Sequence, residues 1–165
     1  HAGVSYWKKF KLLNKFSIGI EISNPGHNYT YKKFSSKQIF SLIKLVQYLK
    51  KKYKIKKSNI LGHSDIAPSR KKDPGEKFPW KLLANKKLCI WHQLNENKIK
   101  RYRNKVIDIN QEKIFFNNLY KIGYSKICEK KEDLVMAFQR KFRQKLINGK
   151  IDKECFLISK NLLNK

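Results

Sequence analysis

Residues 59–80 run NILGHSDIAPSRKKDPGEKFPW, and the architecture of the chain follows from how they are read. Asn59, Ile60 and Leu61 suit a short strand. Gly62-His63 then opens a long loop carrying Pro68, Pro74, Gly75 and Pro79, residue types that interrupt regular structure. A short helix is expected to begin near Trp80. Upstream, residues 36–53 place Ile39, Leu42, Ile43, Val46, Leu49 and Tyr53 at helical spacing, and Ser35 with Gln38 fits a capping box. Further upstream, residues 16–23 read FSIGIEIS. Phe16, Ile18, Ile20 and Ile22 alternate with Ser17, Gly19 and Glu21, the period of a strand with one apolar face. Glu21 shares its face with small residues, which leaves space above it for a ligand. Asn24-Pro25-Gly26 ends that strand. Strand, helix, strand and functional loop make a β-α-β arrangement, so the fold class is α/β, a mixed central sheet with flanking helices.

From about residue 93 the texture changes. Residues 95–104 are polar and basic and read as a linker. Three helical patterns follow, at about 111–122, 132–147 and from 152 onward. Gly123 suits the end of the first, Asn148-Gly149 stops the second, and Asp152 caps the third. The expected organisation is a first domain over 1–95, a linker over 96–109 and a small three-helix domain over 110–165. Leu119, Leu134, Phe138, Phe142, Phe156 and Leu162 lie on the apolar stripes of these helices and form its candidate core.

The 165 residues carry a formal net charge of +27 and are 41% hydrophobic, with ten Phe, eight Tyr and three Trp. That aromatic content excludes a disordered chain. The charge favours anionic partners, but the lysines are scattered through every segment and greatly outnumber the arginines. Specific nucleic-acid binding, which calls for a focused basic stripe and arginine contacts to bases, is not expected. Cys89, Cys128 and Cys155 stand far apart and are read as free thiols. No apolar run is long enough for a transmembrane segment. The first residue is His1 rather than Met, so an upstream segment is expected, and a signal peptide or lipid anchor there is compatible with the sequence.

His63 and Asp73 are the candidate metal ligands. Imidazole and carboxylate both bind zinc, and one loop of ten residues can fold back to join them. Around them lie strings that occur together: His1-Ala-Gly-Val-Ser5 with Trp7, Leu13-Asn14, Ser17-Ile-Gly-Ile-Glu-Ile22, Gly62-His-Ser-Asp-Ile-Ala-Pro68, Arg70-Lys-Lys-Asp-Pro-Gly75 and Phe78-Pro-Trp80. In this order and spacing they resemble the type-2 N-acetylmuramoyl-L-alanine amidase family over about residues 1–92. Within that family the chain is most similar to longer periplasmic members. Residues 119–163 resemble their C-terminal peptidoglycan-binding domain.

The resemblance implies a fold shared with peptidoglycan recognition proteins and a zinc hydrolase that cuts the amide between N-acetylmuramic acid and L-alanine of the stem peptide. It assigns His63 and Asp73 to the second and third zinc ligands, Glu21 to the catalytic carboxylate and Lys71 to the catalytic lysine. The motif of His1 belongs to the substrate cleft. The first zinc ligand in the family is a histidine on a strand upstream of this chain, and His27 and His92 match no ligand position. The implied partners are peptidoglycan or muropeptides. The implied location is the bacterial periplasm or the inner face of the outer membrane, with the cytoplasm as the alternative. A non-catalytic peptidoglycan-binding protein is the rival reading, because one ligand is lacking. The helical domain is expected to add wall affinity without touching the chemistry.

Overall fold

The structure is a computed structural model and describes residues 2–128 and 130–164. It combines a small sheet with helices, in keeping with the α/β class. Among the described residues the regular ladder is a two-stranded antiparallel hairpin, β1 (Tyr6–Trp7) with β2 (Phe10–Lys11), in which Trp7 faces Phe10. Seven α-helices follow among the described residues: α1 (Ser36–Lys52), α2 (His63–Ile66), α3 (Trp80–Asn85), α4 (Glu96–Ile99), α5 (Ile109–Ile122), α6 (Lys131–Phe142) and α7 (Lys153–Leu163).

Helix α1 forms as its sequence dictates. Ser35 Oγ accepts from the Gln38 N–H, and the Gln38 side chain accepts from the Ser35 N–H, so the capping box satisfies two donors that a helix start leaves free. Ile39, Leu42 and Val46 pack its inner face against Phe78, Trp80 and Leu83. C-terminal helices are also capped. Asp152 accepts from Cys155 N–H, as expected, and Asp108, which the sequence alone did not single out, accepts from Gln111 N–H. Gly123 ends α5 with φ +140 and gives Trp7 room: a Cβ there would come within 2.5 Å of the indole. Cys89, Cys128 and Cys155 form no disulfide among the described residues, and burial pushes the thiol of Cys155 up to about 11.

Three elements differ from expectation. Residues 17–23 carry no ladder among the described residues, and Phe16, Ile18 and Ile20 are 65%, 49% and 38% exposed. Only Ile22 of that face packs onto the α1 core. Alternation requires a neighbouring strand to become a ladder, and none lies beside this segment among the described residues. Residues 59–61 are likewise not a strand: a 3-10 turn covers Lys57–Asn59, and Ile60 is extended without a ladder. Helix α6 stops at Phe142 rather than running to residue 147. There the Gln139 amide captures the returning chain, accepting from the N–H groups of Asn148 and Gly149 and donating to the Lys150 carbonyl.

The main core joins both halves of the chain. Ala2, Trp7 and Leu13 share one buried cluster with Phe115, Leu119, Phe138 and Ile158. The stretch expected as a linker contributes buried Ile99 to it and holds α4 and a 3-10 turn over Lys100–Tyr102. Arg103 in this stretch makes a bidentate pair with buried Glu154, at 2.7 and 2.8 Å, and that bond pushes the guanidinium further above its ordinary value.

Candidate metal and catalytic site

Gly62 leads directly into α2, so His63 is the first residue of a four-residue helix rather than part of a loop. The chain then turns at Pro68 and returns through Asp73. Two backbone bonds close this return: Ser64 N–H to the Asp73 carbonyl at 2.9 Å and Lys71 N–H to the Ala67 carbonyl at 2.9 Å. The result is a short contact between the two candidate ligands. His63 Nδ1 lies 3.1 Å from Asp73 Oδ2, and His63 Nε2 lies 3.3 Å from the Ala2 carbonyl. Both neighbours are acceptors, so a neutral imidazole can donate to only one of them.

This arrangement fits part of a zinc site. One ring nitrogen and one carboxylate oxygen face each other, and both are ordinary zinc donors. The other ring nitrogen faces a backbone carbonyl, the kind of acceptor that orients a ligating histidine. Asp73 is open to solvent on one side, its side chain 62% exposed. Among the described residues no group of three His, Cys, Asp or Glu side chains is gathered in one place. His63 and Asp73 could therefore supply two donors to such a site, which needs a third.

The remaining expected residues are spread more widely. Glu21 is exposed and takes part in no hydrogen bond or ion pair among the described residues. Lys71 is half-buried in the turn between α2 and Asp73. His1 lies outside the described residues. His27, which matched no ligand position, bonds Glu76 at 3.0 Å and packs on Tyr31, ring centroids 4.3 Å apart.

Several residues without an assigned role hold the site. Arg70 spans from the turn to the N-terminal segment, donating to the carbonyls of Ala2 and Val4 at 2.7 and 2.8 Å. The same Ala2 carbonyl faces His63, so one arginine fixes the acceptor behind the imidazole. Its place in a run of basic residues hid it, although a planar guanidinium suits several carbonyls better than an ammonium does. Tyr31 donates to the Pro74 carbonyl at 2.7 Å and accepts from the Lys77 N–H at 3.0 Å. Burial, foremost, pushes its hydroxyl up to about 12, so it remains a donor well into the alkaline range. Gly75 permits this packing: its φ is +79, and a Cβ would meet the Tyr31 oxygen at 2.5 Å. Beneath α2, Asp65 accepts from Tyr124 and Lys141, both from the helical region. Burial first, then the Asp65 carboxylate, holds the Tyr124 hydroxyl well above the ordinary tyrosine value.

The fold is that of the type-2 amidases. Residues 1–76 match the N-acetylmuramoyl-L-alanine amidase family, and the chain belongs to it. It is 34% identical to the N-acetylmuramoyl-L-alanine amidase AmiD of Escherichia coli (strain K12) over 177 residues, covering all of this chain and 63% of that relative. The solved complex of E. coli AmiD with anhydro-N-acetylmuramic acid-L-Ala-D-gamma-Glu-L-Lys superposes with a TM-score of 0.85 over 99% of this chain and 67% of that one, at 34% identity. AmpDH3 from Pseudomonas aeruginosa superposes equally well, TM-score 0.85 at 31% identity, over 99% of this chain and 68% of its own. The present chain thus spans just under two thirds of the curated E. coli relative.

Proposed function

We propose that the protein is a zinc-dependent amidase that hydrolyses the amide between the lactyl group of N-acetylmuramic acid and L-alanine of the stem peptide. The observation that carries this reading is the 3.1 Å approach of His63 Nδ1 to Asp73 Oδ2, with Nε2 turned to the Ala2 carbonyl. His63 and Asp73 would hold the metal together with a third ligand from outside the described residues. When bound, zinc supplies a Lewis acid that brings the pKa of its water near 7. Glu21 would take the proton from the attacking water and pass it to the departing alanine nitrogen. Lys71 offers a positive charge to the oxygen of the amide carbonyl as charge builds there. His1 is assigned to the substrate cleft. The muropeptide bound in the solved AmiD complex supports a peptidoglycan fragment as substrate.

In this reading residues 1–95 form the amidase region and 110–165 a peptidoglycan-binding helical region, joined through 96–109. The protein works where such fragments occur, in the periplasm or at the inner face of the outer membrane, or in the cytoplasm on imported fragments. No helix among the described residues is long and apolar enough to cross a membrane. A non-catalytic peptidoglycan binder is the second reading, favoured by the pairing of only two donors among the described residues. Elemental analysis of the full-length protein separates the two. Near-stoichiometric zinc that falls strongly in His63→Ala, with release of the stem peptide from a soluble muropeptide, is the expected result. Zinc content unchanged by His63→Ala rules out the ligand assignment, and binding without peptide release rules out the enzyme.

A further inference from the structure

Asp65 follows His63 by two residues and is 1% exposed, a carboxylate that must be fully paired to sit in the interior. Its Oδ2 accepts from the Gly62 N–H at 2.8 Å and from Lys141 Nζ at 2.7 Å; its Oδ1 accepts from the Tyr124 hydroxyl at 2.7 Å. Lys141 is also enclosed. It donates a second bond to the Ile60 carbonyl at 3.2 Å and lies 4.4 Å above the Trp80 ring. These bonds all end on residues 60–65, on either side of His63. Two side chains from the helical region therefore grip the backbone that presents one donor of the His63–Asp73 pair.

Net stability does not account for the arrangement. A buried ion pair is commonly no more stabilising than an apolar pair of the same shape. An apolar pair would fill the space, yet it could not hold the Gly62 N–H and Ile60 carbonyl in a fixed direction. We propose that Lys141 and Tyr124 are positioning residues that act through Asp65 to set how His63 meets Asp73 and the metal. The inference rests on the reading of His63 and Asp73 as metal ligands. It makes the helical region part of the support of the metal site. Groups behind metal ligands commonly alter affinity about 10- to 100-fold.

The test compares wild type, Tyr124→Phe and the apolar double variant Asp65→Leu/Lys141→Met in the full-length protein. Zinc affinity is measured by chelator competition, the melting midpoint on zinc-free protein, and the His63 ring 15N resonances on the same zinc-free samples. The double variant, which leaves the Tyr124 hydroxyl and the Gly62 N–H unpaired, is expected to melt lower and, below its own melting range, to lose zinc affinity by about 10- to 100-fold, with Tyr124→Phe losing a few-fold. In both, the His63 ring resonances should move toward an averaged position as its contact with Asp73 loosens. If the double variant does not fold, Tyr124→Phe, which removes a single hydroxyl, decides the matter. Wild-type zinc affinity and unshifted ring resonances in the folded variants overturn the proposal. A wild type that binds no zinc through His63 sinks the metal-site reading instead, and the ring resonances still decide whether Lys141 and Tyr124 position the imidazole.

Discussion

In residues 110–165, helical spacing selects Leu119, Leu134, Phe138, Phe142, Phe156 and Leu162, and all six are buried; in residues 16–23, a period of two selects Phe16, Ile18, Ile20 and Ile22, of which the first three are exposed and Ile22 is half-buried. Both patterns are equally clear in the sequence. The difference lies in where the backbone hydrogen bonds go. A helix closes them within itself, so an apolar stripe needs only something to pack against. A strand closes them on a neighbour, and its pattern states a capacity that the neighbour must complete. The site belongs to the second kind of region. It is held less by repeated packing than by single side chains that reach far-off carbonyls, such as Arg70 to Ala2 and Lys141 to Ile60.

The sharpest way to break this contrast is a core deletion. Phe138 is fully buried and meets Phe115 edge-on at 5.2 Å. Phe138→Ala should cost about 3 to 5 kcal/mol in denaturant unfolding of the full-length protein, while Ile18→Thr should shift it by less than about 0.5 kcal/mol. Equal costs would mean that residues 16–23 are packed after all.

A second comparison sets chemistry against support. Glu21→Gln keeps shape and removes the base, so it should lower kcat about 10²-fold with zinc content unchanged. That corresponds to ~2.7 kcal/mol of transition-state stabilisation. Turnover equal to wild type would make Glu21 a plain surface residue and remove the mechanism built on it.

The smallest expected effect concerns pH. Burial pulls the Glu76 carboxyl upward, but the His27 hydrogen bond and the nearby positive charges leave it below its ordinary 4.5. A depressed carboxylate stabilises the fold above its ordinary value, and that gain is lost as pH falls through the depressed one. Wild type should therefore exceed Glu76→Gln in melting midpoint near pH 6, and the gap should close as acid is added. Because the pair is partly open to solvent, the gap should not exceed about 1 kcal/mol. A gap that widens in acid would reverse the sign and show that Glu76 is not held as an anion.

The contact of Tyr124 and Lys141 with Asp65 is the part of the helical region that the sequence did not reveal. Its helices were legible because their periods, the cap at Asp152 and the Gly123 stop are all local signals. Lys141 stands in a basic stretch, and nothing local separates it from its solvated neighbours. Yet it is almost wholly enclosed against Asp65. Arg70 was hidden in the same way.

The sequence by itself determined the family, the class of fold, the capped helices and the candidate pair His63 and Asp73, because each is written in residues near one another along the chain. Only the tertiary structure decided that residues 17–23 lie without a ladder, that Arg70 fixes the carbonyl behind His63, and that Asp65 is gripped from the helical region. These outcomes turn on which distant groups become neighbours. A buried charge or an unpaired backbone group must find its partner wherever the packed chain supplies one.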